Sequence, residues 1–570
     1  MERNVKPWNL IYPRKYISPE FKVESWEDLE GYYSQLVDRQ FSSQDELVDW
    51  LLQWSELHDV TDEFCTRRYI EMTCHTDSKI KREEYLYCVR EIQPKVTKLA
   101  DVLNRKYYDS PISKELDIEQ YGQLNKIVGV SIELFEEKNI PIQIKLSELS
   151  QQYQEIMGAM TVNFEGSEKT FPEMSKYLRE TDRNLRQKAF TAVTKRRMDD
   201  KDKLDDLFDE MVIHRTKFAQ NLGMTGYREF CFRSKLRDYT PDDCMEFHKS
   251  IEKTAVPLAK KINAKRRKTM DLSALCPWDT EVDERGREPL KPFEKVDDLK
   301  RGVGEIFMSV DSRLGERYKS LLKSMDLDSR KGKAPGGYQT TLSESRTPFI
   351  FTNAVGSQND VNTLLHECGH AFHTLQSRGL ELTWCRHAAM EFCEVASMSQ
   401  ELICGEKLEP FYPYLEQQKR ARTEHLRNLV GLFGWVAHVD AFQHWIYTNP
   451  EHSKKQRSDK WVELSERFDV GIDWSTISHE ARASQWHKQL HIFEVPFYYI
   501  EYAIAQLGAL QIYRNYKLDK DKAIIKYLEA LSLGGAKPAK ELFSIAGIKF
   551  DFSQELLGNL MDMVSAEIEM

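Results

Sequence analysis

VNTLLHECGHAFHTL, residues 361–375, is the stretch on which the reading of the fold turns. Val361, Leu364, Leu365, Cys368, Phe372 and Leu375 recur at three- and four-residue spacing, which predicts an amphipathic helix. His366 and His370 then share the opposite face one turn apart, with Glu367 directly after the first. Asn359 or Asp360 is the expected N-cap. Two imidazoles at i and i+4 can ligate one Zn²⁺, and the intervening glutamate is placed to reach a water on the same ion. H-E-x-x-H arises by chance in roughly three of a hundred chains of this composition, so its weight depends on its surroundings.

Working outward, the chain is helical on both sides. Segments such as DELVDWLLQWSELHDVTDEF (45–64) and LDDLFDEMVIHRTKFAQNL (204–222) keep the same period, and Gly plus Pro number only 26 and 19 in 570 residues. Residues 271–299 lose that period and carry three prolines, reading as a long irregular connection. Immediately before the pentapeptide, KGKAPGGYQTTLSESRTPFIFTNAVGSQND (331–360) is the most strand-like part of the sequence, and predicts a small sheet next to the HExxH helix. Gly336, Gly337 and Tyr338 are suited to a mobile loop, and TPFIFTNAV to a sheet edge that could take an extended peptide. Helix resumes after residue 361, with breaks expected at Pro450 and Pro538. The expected fold is mostly α, with an N-terminal helical domain over 1–200 and a catalytic domain of zincin type over 201–570.

A hydrolytic metal site needs a third protein ligand. His373 lies on the ligand face at i+7, but a further turn along, and reads as a neighbour of the site and not a ligand. HAAMEFCEVASMSQEL (387–402) supplies a second helix, close enough in sequence to return beside the first, with Glu391 and Glu394 three apart on one face. Glu394 is the candidate third ligand. Glu391, one turn earlier, is the candidate acceptor for a ligating imidazole's second N–H. Further on, His491, Tyr498, Tyr499 and Tyr502 cluster around Pro496, with Tyr498 and Tyr502 at i and i+4. From the residues alone, they serve equally well as core packing of an amphipathic helix.

HECGHAFH, the glutamate in EVAS, and HIFEVPFYYIEYAIAQLGAL together resemble the oligoendopeptidase F and thimet oligopeptidase family of zinc peptidases, closest to its Pz-peptidase-like branch. The resemblance covers roughly residues 210 to 560, including PWD at 277–279 and TPFIFTN ahead of the helix. It implies two largely helical lobes around a deep substrate cleft. By it, His366, His370 and Glu394 are zinc ligands, Glu367 is the catalytic base, Tyr502 is the oxyanion donor, and Tyr498 and His491 contact substrate carbonyl groups. A cysteine inside the pentapeptide departs from the apolar residues expected there, leaving the ligands intact but adding a thiol beside the metal.

The implied activity is an endopeptidase acting on short unstructured peptides. The alternative is a non-catalytic helical peptide-binding protein with structural zinc. Such a site needs a fourth protein ligand, and Cys368 points to the apolar side of its helix. A net charge of −10 gives no reason to expect nucleic acid or an anionic membrane, and the basic run Lys260, Lys261, Lys265, Arg266, Arg267, Lys268 reads as a solvated helix face. No run approaches the roughly 20 apolar residues of a membrane span. The N-terminus lacks a signal-peptide core, and ten scattered cysteines without a C-x-x-C pair fit reduced thiols, so the expected location is cytoplasmic.

Overall fold

The computed structural model describes residues 12–568. Helix dominates, interrupted by a two-stranded and a three-stranded sheet. The N-terminal lobe closes around its own core, in which Trp26, Leu47, Trp50, Leu51 and Trp54 are buried. Its longest helix, α1 (Gln44–Cys74), starts at Ser43, whose side chain accepts from Glu46 N. A second, larger core draws on residues from Leu149 onward and extends to Ile568.

The first sheet is a hairpin that periodicity did not predict: β1 (Thr161–Phe164) pairs antiparallel with β2 (Ser167–Thr170). Its turn residues Glu165 and Gly166 have φ of 50° and 78°, the left-handed pair that a two-residue hairpin requires. The second sheet lies where the sequence places it. Strand β3 (Met325–Asp328) is parallel to β5 (Thr347–Ala354), and β4 (Tyr338–Leu342) is antiparallel to β5, giving the order β3-β5-β4.

That order corrects one expectation. TPFIFTNAV contains the central strand and not an edge, because Ile350, Phe351 and Thr352 are buried in succession and need cover on both faces. The edge on the Gly336–Gly337 side is β4. Helix α1 is tied to this strand and the loop after it: Thr73 Oγ1 lies 2.6 Å from Tyr338 Oη, and Ser343 Oγ donates to Asp62 Oδ2 at 2.5 Å.

Helix α2 (Gln358–Ser377) carries the pentapeptide. Its N-cap is Ser357, earlier than expected. Ser357 Oγ accepts from Asp360 N, while Asp360 Oδ2 accepts from Ser357 N, so Asp360 is the N3 partner of a capping box and not the cap itself. Helix α3 (Met390–Cys404) packs on α2 unusually closely. A Cβ at Gly369 would stand 2.4 Å from Ser397 Cα and 2.6 Å from Ala396 O. Helices α4 (Leu415–Thr448), α5 (Leu490–Glu494) and α6 (Ile500–Leu518) complete the surroundings of the site. At Gly508 of α6 a Cβ would meet Val395 of α3 at 2.6 Å, so glycines sit at the contacts of α3 with both α2 and α6. The expected breaks fall at the end of α4, just before Pro450, and at Pro538, which caps a later helix.

Candidate metal centre

The two histidine rings of α2 stand 4.9 Å apart between centroids, and both aim at α3. His366 Nε2 and His370 Nε2 lie 3.3 and 3.4 Å from the same oxygen, Glu394 Oε2. One donor atom from each residue falls within 4.8 Å of the others, so these three groups could hold a metal ion. Ser397 Oγ lies 3.0 Å from Glu394 Oε2 and 2.9 Å from the Glu394 carbonyl oxygen, within reach of either with its one proton.

The field at this point favours a cation. Burial would lower the His366 pKa, but Glu394 and Glu401 outweigh it and hold it well above the usual histidine range. Burial would likewise raise the Glu394 carboxyl, yet His370 and His366 hold it well below its ordinary value. Glu367 is different. It is buried, its Oε2 has no hydrogen-bond partner, and burial raises its pKa against the opposing pull of the two histidines. A buried carboxylate oxygen left unpaired beside a three-ligand group is what a proton acceptor for an attacking water requires.

The neighbour of the His366 imidazole is not the expected one. Glu401 Oε1, two turns beyond Glu394 on α3, accepts from His366 Nδ1 at 2.7 Å. With its Nδ1 proton held by Glu401, His366 can give up the Nε2 proton and present that nitrogen to a metal ion, the tautomer that ligation needs. Glu391 is buried on the same helix, and its charge acts on Arg237, Tyr239 and Glu501 instead. The i, i+3 spacing of Glu391 and Glu394 did not distinguish them from Glu401, at i+7 from Glu394 on the same face. Glu401→Ala is therefore expected to weaken metal affinity about 10- to 100-fold, and Glu391→Ala to leave it within twofold, measured by competition with a chelator. Metal loss in the Glu391 variant alone would reverse the assignment.

His373 is buried with its ring edge against Phe392, 6.0 Å between centroids, and faces the core, not the metal group. Cys368 is wholly buried and is not among the converging donor atoms. A second group, Cys244, Asp440 and His444, is fully buried with no exposed face, and His248 Nε2 already lies 2.8 Å from Asp440 Oδ2.

The aromatic cluster faces the metal group. Tyr498 Oη donates to Glu394 Oε1, and His491 Nε2 lies 3.0 Å from Tyr502 Oη. The Tyr498 and Tyr502 rings meet edge to face at 5.3 Å. Burial, with Glu394 next in effect, holds the Tyr502 pKa well above 10, so this hydroxyl keeps its proton and can donate it in a hydrogen bond. Tyr499 packs within the cluster, its ring 5.0 Å from that of His491 and 5.2 Å from that of Tyr502. The structure thus brings together His366, Glu367, His370, Glu394, His491, Tyr498 and Tyr502, and adds Glu401.

A helical chain with an HExxH helix, a glutamate from the next helix and tyrosines opposite defines a class, the HExxH metallopeptidases. The chain belongs to peptidase family M3: residues 176–562 match the description "Peptidase family M3", and residues 18–135 match "Peptidase M3 N-terminal domain". Among curated relatives, Oligopeptidase PepF of Bacillus subtilis (strain 168) is 24% identical over 257 residues, spanning 41% of this chain and 36% of that protein. An Oligoendopeptidase F homolog of Borreliella burgdorferi is 21% identical over 483 residues, covering 80% of this chain and 77% of the relative. Among solved structures, Pz peptidase A with inhibitor 2 superposes with a TM-score of 0.91 at 25% identity, covering 96% of this chain and 99% of that one. No helix among the described residues is long and apolar enough to cross a membrane.

Proposed function

We propose that this chain is a zinc metalloendopeptidase that hydrolyses internal bonds of short, unstructured peptides in the cytoplasm. The observation that carries this reading is Glu367 Oε2, buried and unpaired beside the converging His366, His370 and Glu394. Two nitrogens and a carboxylate oxygen are a donor set that suits zinc and leaves a coordination position free for chemistry. When bound, zinc supplies Lewis acidity to the scissile carbonyl and to the attacking water.

The chain's own residues supply the rest. Edge strand β4 offers main-chain hydrogen bonds to an extended peptide. Glu367 takes the proton of the attacking water and returns it to the leaving nitrogen. Tyr502 donates to the oxygen on which charge develops, with His491 hydrogen-bonded behind it. Tyr498 is already committed to Glu394 in the resting chain, so its first task is to hold the ligand. The non-catalytic alternative has no support in the site: a closed structural centre needs a fourth protein ligand, and Cys368 lies on the core side of α2.

The direct test is hydrolysis of an internally quenched peptide, with and without chelator, extended to a series of increasing peptide length and to one globular protein, native and denatured. Short peptides should be cut internally in a metal-dependent way, and the native protein spared, because unfolding a segment locally costs free energy that a narrow cleft does not recover. Rapid cleavage of native loops would mean an open site. No metal-dependent cleavage of any peptide would remove the proposal itself. Tyr502→Phe should lower kcat by about 10²-fold with little change in KM, as expected for a hydrogen bond made mainly in the transition state. An unchanged kcat would transfer the donor role to Tyr498.

A further inference from the structure

Behind Tyr502 runs a chain of hydrogen-bonded side chains. Trp435 Nε1, on α4, lies 3.0 Å from Gln489 Oε1; Gln489 Nε2 lies 2.8 Å from His491 Nδ1; and His491 Nε2 lies 3.0 Å from Tyr502 Oη. The indole at one end sets the sense of the other links. An indole nitrogen donates and cannot accept, so the end of the glutamine amide facing Trp435 is its oxygen. Turned end for end, the amide would set an NH₂ against the indole N–H, donor against donor. The other end is then the NH₂, which also only donates, and His491 Nδ1 must accept from it with an unprotonated lone pair.

We propose that Trp435 and Gln489 are positioning residues that fix His491 as the Nε2–H tautomer, so that the imidazole donates to Tyr502 and leaves the tyrosine's own proton for the substrate oxygen. A neutral His491 has one ring proton, and with Nδ1 accepting it must sit on Nε2. Burial supports the neutral form, lowering the His491 pKa to about 4. The Tyr502 oxygen therefore receives a hydrogen bond from His491, and its O–H must point elsewhere. Tyr498, whose ring lies 5.3 Å from that of Tyr502, spends its own proton on Glu394 and so does not compete for this role. With the opposite tautomer, Nε2 would hold a lone pair, draw in the Tyr502 proton, and leave the developing oxyanion facing a bare oxygen. The chain Trp435, Gln489, His491, Tyr502 also runs in one donor-to-acceptor sense throughout, so each bond polarises the next and strengthens the last donor.

The inference rests on the peptidase reading for its effect on rate, but not for its effect on the tautomer. Its test is Gln489→Glu, a change of nearly equal shape that replaces the NH₂ with an accepting oxygen. The carboxylate can still take the Trp435 N–H, yet it demands a proton on His491 Nδ1. In ¹⁵N-histidine-labelled intact protein, with the His491 signals assigned by their absence in His491→Asn, the wild-type ring should show a protonated Nε2 and a bare Nδ1. Gln489→Glu should show a protonated Nδ1. In the peptide assay, Gln489→Glu should lower kcat about 10²-fold with KM within about twofold, matching Tyr502→Phe, and the double variant should be no slower than either single one. A protonated Nδ1 in the wild-type ring would overturn the proposal even if Gln489→Glu failed to fold. So would an unaltered kcat in Gln489→Glu, or losses that simply multiply in the double variant. If no peptide is cleaved at all, the ¹⁵N spectra still decide the tautomer.

Discussion

Glu367→Gln is expected to keep its full complement of metal and to lose turnover by about 10²- to 10⁴-fold. The reasoning follows from the two halves of α2. The histidines that would hold the ion aim at Glu394, and His366 is oriented from behind by Glu401; none of these contacts passes through Glu367. The Glu367 side chain is buried with one oxygen unpaired, so an amide of the same shape fits the same space. What the amide lacks is basicity. It cannot take a proton from water at neutral pH, and the substrate would bind without reacting. Metal content per chain and kcat, measured on the same preparation, check both halves. Parallel loss of metal and activity would mean that Glu367 holds the ion and that the base lies elsewhere.

Glu394→Ala should act the other way, with metal lost first and activity lost as a result. Removing this side chain leaves two imidazoles with no anionic ligand, and takes away the group that gives the site its preference for positive charge. It also strands Tyr498, whose hydroxyl would lose its acceptor. Stoichiometric metal after gel filtration is expected for the wild type and a small fraction of it for the variant, with partial activity regained in excess Zn²⁺. A variant that retained a full equivalent would show the third ligand to be another residue.

How far these residues were visible in the sequence depended on whether their meaning was local. The two histidines and Glu367 were legible because i and i+4 on one helix settle their geometry before any tertiary contact forms. The approach of Glu394 to them was legible because a second acidic helix follows at a workable distance. Glu401 was not, since choosing between Glu391 and Glu401 requires knowing how α3 is rotated against α2. Strand order was hidden for a similar reason. The apolar run TPFIFTNAV signals a strand, but buried succession fits a centre better than an edge, and only the pairing with Met325–Asp328 makes that explicit. The β1–β2 hairpin has only the turn Glu165–Gly166 to mark it, because its four-residue strands are too short for an alternating pattern to stand out. Trp435 and Gln489 lie 54 residues apart and carry no motif, so nothing short of the fold could join them.

The close approach at Gly369 has a consequence for how this centre could be altered or transplanted. The fourth letter of the pentapeptide has no side chain to offer a ligand, yet it sets the gap between the two histidines and Glu394. A single methyl there would meet the main chain of α3 at Ser397 and Ala396, atoms that no side-chain rotation can withdraw, so the two helices would have to part. Overpacking of that kind costs about 1–3 kcal/mol, and here the damage would fall on geometry more than on stability. Grafting the histidines and the glutamates onto another pair of helices would fail for the same reason unless the glycine travelled with them. In that sense the ion's cage has a hinge pin made of nothing but absent atoms.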